Sequence, residues 1–251
     1  MFINPLVDVL ILAAIGSVAG LVGGVVFLLK KDWARVLCKY AIPFAAGVLL
    51  SVSMLHLIPE AQHQIGYSAF VIVLASFLFA FFFEEFFAHL HHHEEKKHTL
   101  RKSTVPLVLF GDTVHNFIDG VAIAAAYMIN PSFGLVVAFA TFLHETPHEI
   151  GDFGVLMNAG WSAKKTFVAN FLSAMATFPG AILTFYLSSQ LEGMTGILLA
   201  ISAGIFLYLG ASDFLPELTD KNDRKKAWKE VLLLSLGVLL MYLLTFLFPE
   251  H

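Results

Sequence analysis

Eight apolar runs, divided by short polar breaks, make up most of this chain: 6–29, 40–59, 67–88, 105–129, 133–157, 165–188, 194–215 and 228–248. A helix that crosses a bilayer needs about 20 mostly apolar residues, so the pattern predicts an all-α membrane protein with eight transmembrane helices. Two runs carry polar residues in their middle, GDTVHNFIDG at 111–120 and HETPHEIGDF at 144–153. A carboxylate at the centre of a membrane helix costs on the order of 3 kcal/mol. Asp112, Asp119, Glu145, Glu149 and Asp152 would together cost about 15 kcal/mol without partners. A divalent cation is the partner that would offset it.

Composition removes the soluble alternatives. The chain has 251 residues, 58% of them hydrophobic and 14% charged, against about 25% charged in soluble domains. The first run has no basic flank before it and is too long for a signal-peptide core, so it reads as a span. Cys38 is the one cysteine, which excludes an internal disulfide and a cysteine-rich metal site. All fifteen Lys and Arg residues fall in four connections or at their edges: after span one (Lys30 to Lys39), span three (Lys96 to Lys102), span five (Lys164, Lys165) and span seven (Lys221 to Lys229). The alternate connections carry none. By the positive-inside rule those four face the cytoplasm, and both termini lie outside, extracellular or periplasmic. The chain is expected to be a single transmembrane domain over 1–251, multi-pass in a plasma or inner membrane. Its cytoplasmic loop at about 89–103 is rich in histidine.

An internal repeat fits this topology. AGVLLSVSMLHLIPE (46–60) aligns without a gap on AGIFLYLGASDFLPE (203–217), and His56 falls opposite Asp213. The first copy runs outward on span two and the second inward on span seven. Inverted repeats are characteristic of secondary transporters, whose sites lie near the midplane between the halves. Spans one to three and six to eight would then be two inverted triplets around spans four and five, a 3+2+3 arrangement.

Residues four apart share a helix face. On span four, His115 and Asp119 share one, flanked by Asn116. On span five, His144 and His148 share one, beside Glu145 and Glu149. Asn130-Pro131 joins the two helices, so His115 and His144 come to nearly equal depth, about 20 Å from the turn at 1.5 Å per residue. That is near the middle of a hydrocarbon layer roughly 30 Å thick. Imidazole with carboxylate suits zinc, iron or manganese rather than a soft copper(I) ion. Pro147 should disturb span five beside the site, and Gly111, Gly120 and Gly151 would let helices pack closely around it.

HETPH (144–148) also satisfies HExxH, the zincin pattern, with Asp119 available as a third ligand. An intramembrane metalloprotease is therefore the alternative. The Pro before the second His, the position of Asp-Gly ahead of HExxH, and the inverted repeat all weigh against an enzyme.

HNFIDG on span four resembles the HNxx[DE]G motif of the ZIP family of divalent metal importers, and HETPHEIGDF resembles the HExPHExGD form of its LIV subfamily. HLIPE and DFLPE are similar to further family motifs. The resemblance implies import of divalent ions, Zn2+ first, with Fe2+, Mn2+ or Cd2+ as competing substrates. It implies a primary site of His115, Asp119, His144 and His148, and a second site using Asn116 and Glu145 with shared Asp119 and His148, and Glu149 nearby. A further ligand that some members supply from span six has no carboxylate counterpart here. Metal ions and the lipid bilayer are the expected partners, with a homodimer implied by the family and no nucleic acid.

Overall fold

A computed structural model describes residues 4–92, 105–190, 193–214 and 224–247. Among them helices stand at all eight apolar runs. They are α1, Pro5–Leu29, with a 3-10 turn at Val18–Leu21; α2, Lys31–Ile65; α3, Ser68–His92; α4, Val105–Ile129; α5, Pro131–Asn158; α6, Ala163–Gln190; α7, Met194–Tyr208, continued by a π turn at Leu209–Phe214; and α8, Arg224–Leu247. Six of them are long and apolar enough to span a membrane by length and composition alone. The two outside that set, α4 and α5, are long enough at roughly 40 Å each, and they carry the polar clusters. The histidine-rich stretch expected at 89–103 lies outside the described residues apart from the backbone end of α3. Glu217 and the side chain of Asp213 lie outside them too.

Local chemistry sets the helix starts. Asn4 and Asn130 cap α1 and α5, each accepting a backbone N–H two residues on (Leu6 at 3.0 Å, Ser132 at 2.8 Å), with proline at the first helical position. Those are the preferred residues for such positions. The same Asn130-Pro131 step turns the chain from α4 directly into α5.

The packing exchanges in pairs. α2 packs on α8 and α7 on α3; α2 packs on α5 and α7 on α4; α1 packs on α5 and α6 on α4. The repeat seen in sequence sets the register of these contacts. The π turn Val52–Leu57 of α2 stands 157 positions before the π turn of α7. The 3-10 turn of α1 stands opposite the break at residues 175–176 of α6 by the same offset. Gly23 lies against the Thr146 carbonyl of α5, and Gly180, again 157 positions on, lies against the Phe117 carbonyl of α4. One constant offset thus relates these local features of the two halves of the chain.

Close helix approach depends on particular glycines. At Gly120 an added Cβ would meet the Thr177 carbonyl, as expected of a packing glycine. Gly111 and Gly151 have nothing within 4 Å of that position, so their role is not packing. The outermost helices are α3 and α8: only 17% and 22% of their apolar windows are buried, against 50% and 61% for α1 and α2. Phe79, Phe82, Leu243 and Phe246 on them are exposed.

Polar residues near the other end of the bundle are internal. His56 is fully buried, with Nε2 3.1 Å from the Met241 carbonyl and its ring over Phe133, and Glu60 is 2% exposed. They are part of the packed bundle. Asp8 of α1 is also buried and accepts a 2.9 Å hydrogen bond from the Tyr127 hydroxyl of α4. Tyr127→Phe leaves that buried carboxylate oxygen without its donor, so it should cost about 1–3 kcal/mol. Thermal unfolding in detergent, compared with the parent, measures the loss.

Candidate metal centre

The centre is built by α4 and α5. His115 and Asp119 project from one and His144 and Glu145 from the other, and one ligand atom from each lies within 4.8 Å of all the rest. Asp119, His144 and Glu145 are fully buried and His115 is 8% exposed. The two imidazoles face each other, Nε2 to Nε2, at 3.3 Å. Asp119 Oδ2 is 3.6 Å from His115 Nε2 and 3.5 Å from His144 Nε2. Glu145 Oε1 is 2.8 Å from the first imidazole and 3.8 Å from the second.

Those separations bear on what could sit among them. Donors about 2.0–2.2 Å from a tetrahedral ion stand roughly 3.4 Å apart. Four of the five distances fall within a few tenths of an ångström of that, and the fifth is a hydrogen-bond length that an ion would open. His144 is already oriented: its Nδ1 lies 3.0 Å from the Ala140 carbonyl, which can only accept. The proton is therefore on Nδ1, and the bare Nε2 lone pair points at the cluster, the arrangement seen when an outer partner fixes a metal-ligating histidine. Phe206 of α7 closes the other side of that ring at 5.6 Å.

The other expected ligands divide among neighbouring groups. His148 joins Asp112 and Asp152 rather than His115, Asp119 and His144; Glu149 joins Asp112 and Glu145. Both oxygens of Glu149 lack a hydrogen-bond partner although the residue is fully buried. Asn116 is held differently. Its amide N–H donates to Asp112 Oδ1 at 2.9 Å, and its Oδ1 accepts from the hydroxyls of Ser17 and Thr177, the latter at 3.3 Å. It ties α1, α4 and α6 together beside the cluster, with its carbonyl oxygen already engaged. The buried Ser17 and Thr177, on two other helices, gave no sign in the sequence: lone hydroxyls in membrane helices carry no periodic signal.

A cavity of about 470 Å3 between α3, α4, α5 and α7 reaches His115, His148, Asp112 and Asp152. Glu84 and Tyr208 also line it, and the Tyr208 hydroxyl donates to the Glu84 carboxylate across it. Toward the Asn130 turn the path is filled instead. Ile123 to Ala126 of α4, Phe133, Val137 and Ala140 of α5, and Leu199, Ala203 and Phe206 of α7 pack there in one core. A small-residue run on α4 lets these helices come close, which seals that side.

The family model described as ZIP Zinc transporter matches residues 6–106 and 101–245. The chain is 40% identical to Zinc transporter ZIP10 of Danio rerio over 122 residues, 48% of this chain and 14% of that protein. It is 39% identical to Zinc transporter ZIP4 of Rattus norvegicus over 133 residues, 53% of this chain and 20% of that protein. It is 34% identical to the Zinc transporter ZIP13 homolog of Drosophila melanogaster over 160 residues, 62% of this chain and 45% of that protein. The matched stretch thus spans less than half the length of each of these relatives. The family match, by contrast, runs through all eight helices, including the pair that brings two imidazoles and two carboxylates together in the bundle centre, and on that ground the chain belongs to the ZIP zinc transporter family.

Proposed function

We propose that the chain carries divalent metal ions, Zn2+ first, through the membrane toward the cytoplasm. The observation that carries this reading is the buried group of His115, Asp119, His144 and Glu145, spaced as donors around a single ion and open on one side to a cavity. An ion arriving there exchanges its water for two imidazoles and two carboxylates, which offsets both its own dehydration and the cost of the buried charges. His148, Glu149 and Asn116 complete the polar path around that group. Zinc fits the donor set best, with Fe2+, Mn2+ and Cd2+ as competitors.

Direction follows from charge. The cavity opens at the end of α4 and α5 where the chain carries Lys30, Lys31, Lys164 and Lys165, which the positive-inside rule places in the cytoplasm. The described conformation therefore faces inward, with the outer side packed shut. Passage requires the central helices and their glycine-packed neighbours to move relative to one another, as alternating access in inverted-repeat transporters does. The reading as a protease gains no comparable support, since the family match is to zinc transporters and the ligand atoms of the two HETPH histidines fall in different clusters.

Purified chain in proteoliposomes should take up zinc in a saturable way, with cadmium, iron and manganese competing. Tight zinc binding without any flux would make the protein a sensor or store instead. Cleavage of a membrane peptide in the same vesicles would restore the enzymatic alternative.

A further inference from the structure

We infer that Asp112, His148 and Asp152 form a second cation-binding station, one helical turn from the central group on its cavity side, which receives the ion from the centre and holds it partly hydrated before release. The station deepens the proposed transport reading, since the ion it takes is the one that passes the centre.

Three features of these residues support it. The first is position. Asp112 lies one turn before His115 on α4, and His148 and Asp152 lie one and two turns after His144 on α5, so the three descend from the centre along both helices. His148 Nδ1 is 3.8 Å from Asp112 Oδ1 and 4.0 Å from Asp152 Oδ2. It is also 4.0 Å from Glu145 Oε1 of the central group, and its ring lies 5.1 Å from that of His115. One imidazole thus stands between the two groups, within reach of carboxylates in both.

The second feature is what the carboxylates lack. Asp112 is 3% exposed and Asp152 8% exposed. Asn116 takes Oδ1 of Asp112, which leaves Asp112 Oδ2 with no hydrogen-bond partner, and Asp152 Oδ2 has none either. Among the described residues their ion-pair neighbours are imidazoles alone. Buried carboxylate oxygens are normally satisfied. Two such carboxylates, each offering one ligand atom within 4.8 Å of the same histidine, describe a place for a cation.

The third feature is water. Asp112, His148 and Asp152 all line the 470 Å3 cavity, and Gly111 beside them leaves open space. At about 30 Å3 per water that volume holds on the order of ten waters. Of the central group His115 alone lines that cavity, while Asp119, His144 and Glu145 are fully buried behind it. An ion at the lower station keeps part of its hydration and trades a four-donor site for three protein donors, so it is held more weakly. The gradient from dry to wet lowers the barrier to leaving on the cavity side.

Cadmium binding to the purified full chain in detergent tests the station without relying on flux. The parent should bind a tight ion and a second, weaker one. Asp112→Asn with Asp152→Asn should lose the weaker ion, by at least the roughly ten- to hundred-fold affinity loss that removing even an outer partner of a metal site causes, and keep the tight one. A double variant that binds both ions as the parent does, or that loses the tight ion together with the weak one, overturns the proposal. Should the double variant fail to fold, anomalous scattering from cadmium in crystals of the parent decides. A peak between Asp112 and Asp152, apart from the peak among His115, Asp119, His144 and Glu145, supports the station, and its absence at saturating cadmium overturns it. Two bound ions with no flux in vesicles would instead refute transport and leave the station standing.

Discussion

Zinc flux disappears when His115 and His144 are both replaced by glutamine. Each side chain supplies one of the two facing Nε2 atoms, 3.3 Å apart, and each also neighbours Asp119 and Glu145. Without these imidazoles, Asp119 and Glu145 remain as two fully buried carboxylates that have lost both facing nitrogen donors. Transfer of a dehydrated ion into that pair loses half its donors, and loss of even one outer partner at a metal site costs roughly ten- to a hundred-fold in affinity. Losing two direct ligands should reduce uptake to the level of empty vesicles. Glutamine keeps a polar side chain of similar length, so the variant should still insert; breaking buried ion-pair partners costs about 3–5 kcal/mol, which thermal unfolding will register. Parent-like zinc uptake in a correctly inserted double variant would remove the central site from the mechanism.

Gly23→Val and Gly180→Val should each prevent stable assembly of the bundle, with similar effects although the two sites lie in different halves of the chain. At Gly23 the new Cβ meets the Thr146 carbonyl, with Ile150 Cγ1 at 3.2 Å; at Gly180 it meets the Phe117 carbonyl, with its carbon at 3.0 Å. Overpacking against side chains costs about 1–3 kcal/mol. Here the obstacle is backbone, which has no rotamer to escape into, so the cost should reach or exceed the top of that range. Both contacts lie next to the metal centre, on Thr146 beside Glu145 and on Phe117 beside Asn116, so any variant that folds will have a displaced ligand. Gly151→Ala is the control. Nothing lies within 4 Å of its Cβ position, and helix propensity favours alanine by about 1 kcal/mol, so its unfolding temperature should hold or rise. Equal loss at Gly151 and Gly23 would mean that helix flexibility rather than close approach is what these glycines supply.

The eight helices and their spacing were legible because a bilayer imposes length and apolarity on every span, a demand that leaves a mark in each stretch of sequence. His115, Asp119, His144 and Glu145 were legible as chemistry for the related reason that lipid makes charge expensive. The offset between AGVLLSVSMLHLIPE and AGIFLYLGASDFLPE foretold more than those two segments. The same 157-residue step relates both π turns, both breaks in α1 and α6, and the Gly23 and Gly180 contacts. Glycines were read less well. Gly120 packs, whereas Gly111 and Gly151 border open space, because a glycine's sequence context does not reveal whether anything approaches it.

Sequence alone therefore determined the class of protein, the positions of its helices and which residue types meet at the bundle centre, since these follow from the hydrophobic period and from the single-residue turn that folds α4 back on α5. Tertiary structure decided which donors converge. Successive residues on a helix differ by about 100° in direction, so a small rotation of α5 decides whether Glu145 or His148 faces His115 and Asp119. That rotation is fixed by contacts with other helices, Gly20 and Gly23 of α1 against Glu145 and Thr146 above all. The same packing buried His56 and Glu60, and left a cavity beside Asp112 and Asp152, because the shape of a space between helices is a property of their assembly and of no one of them.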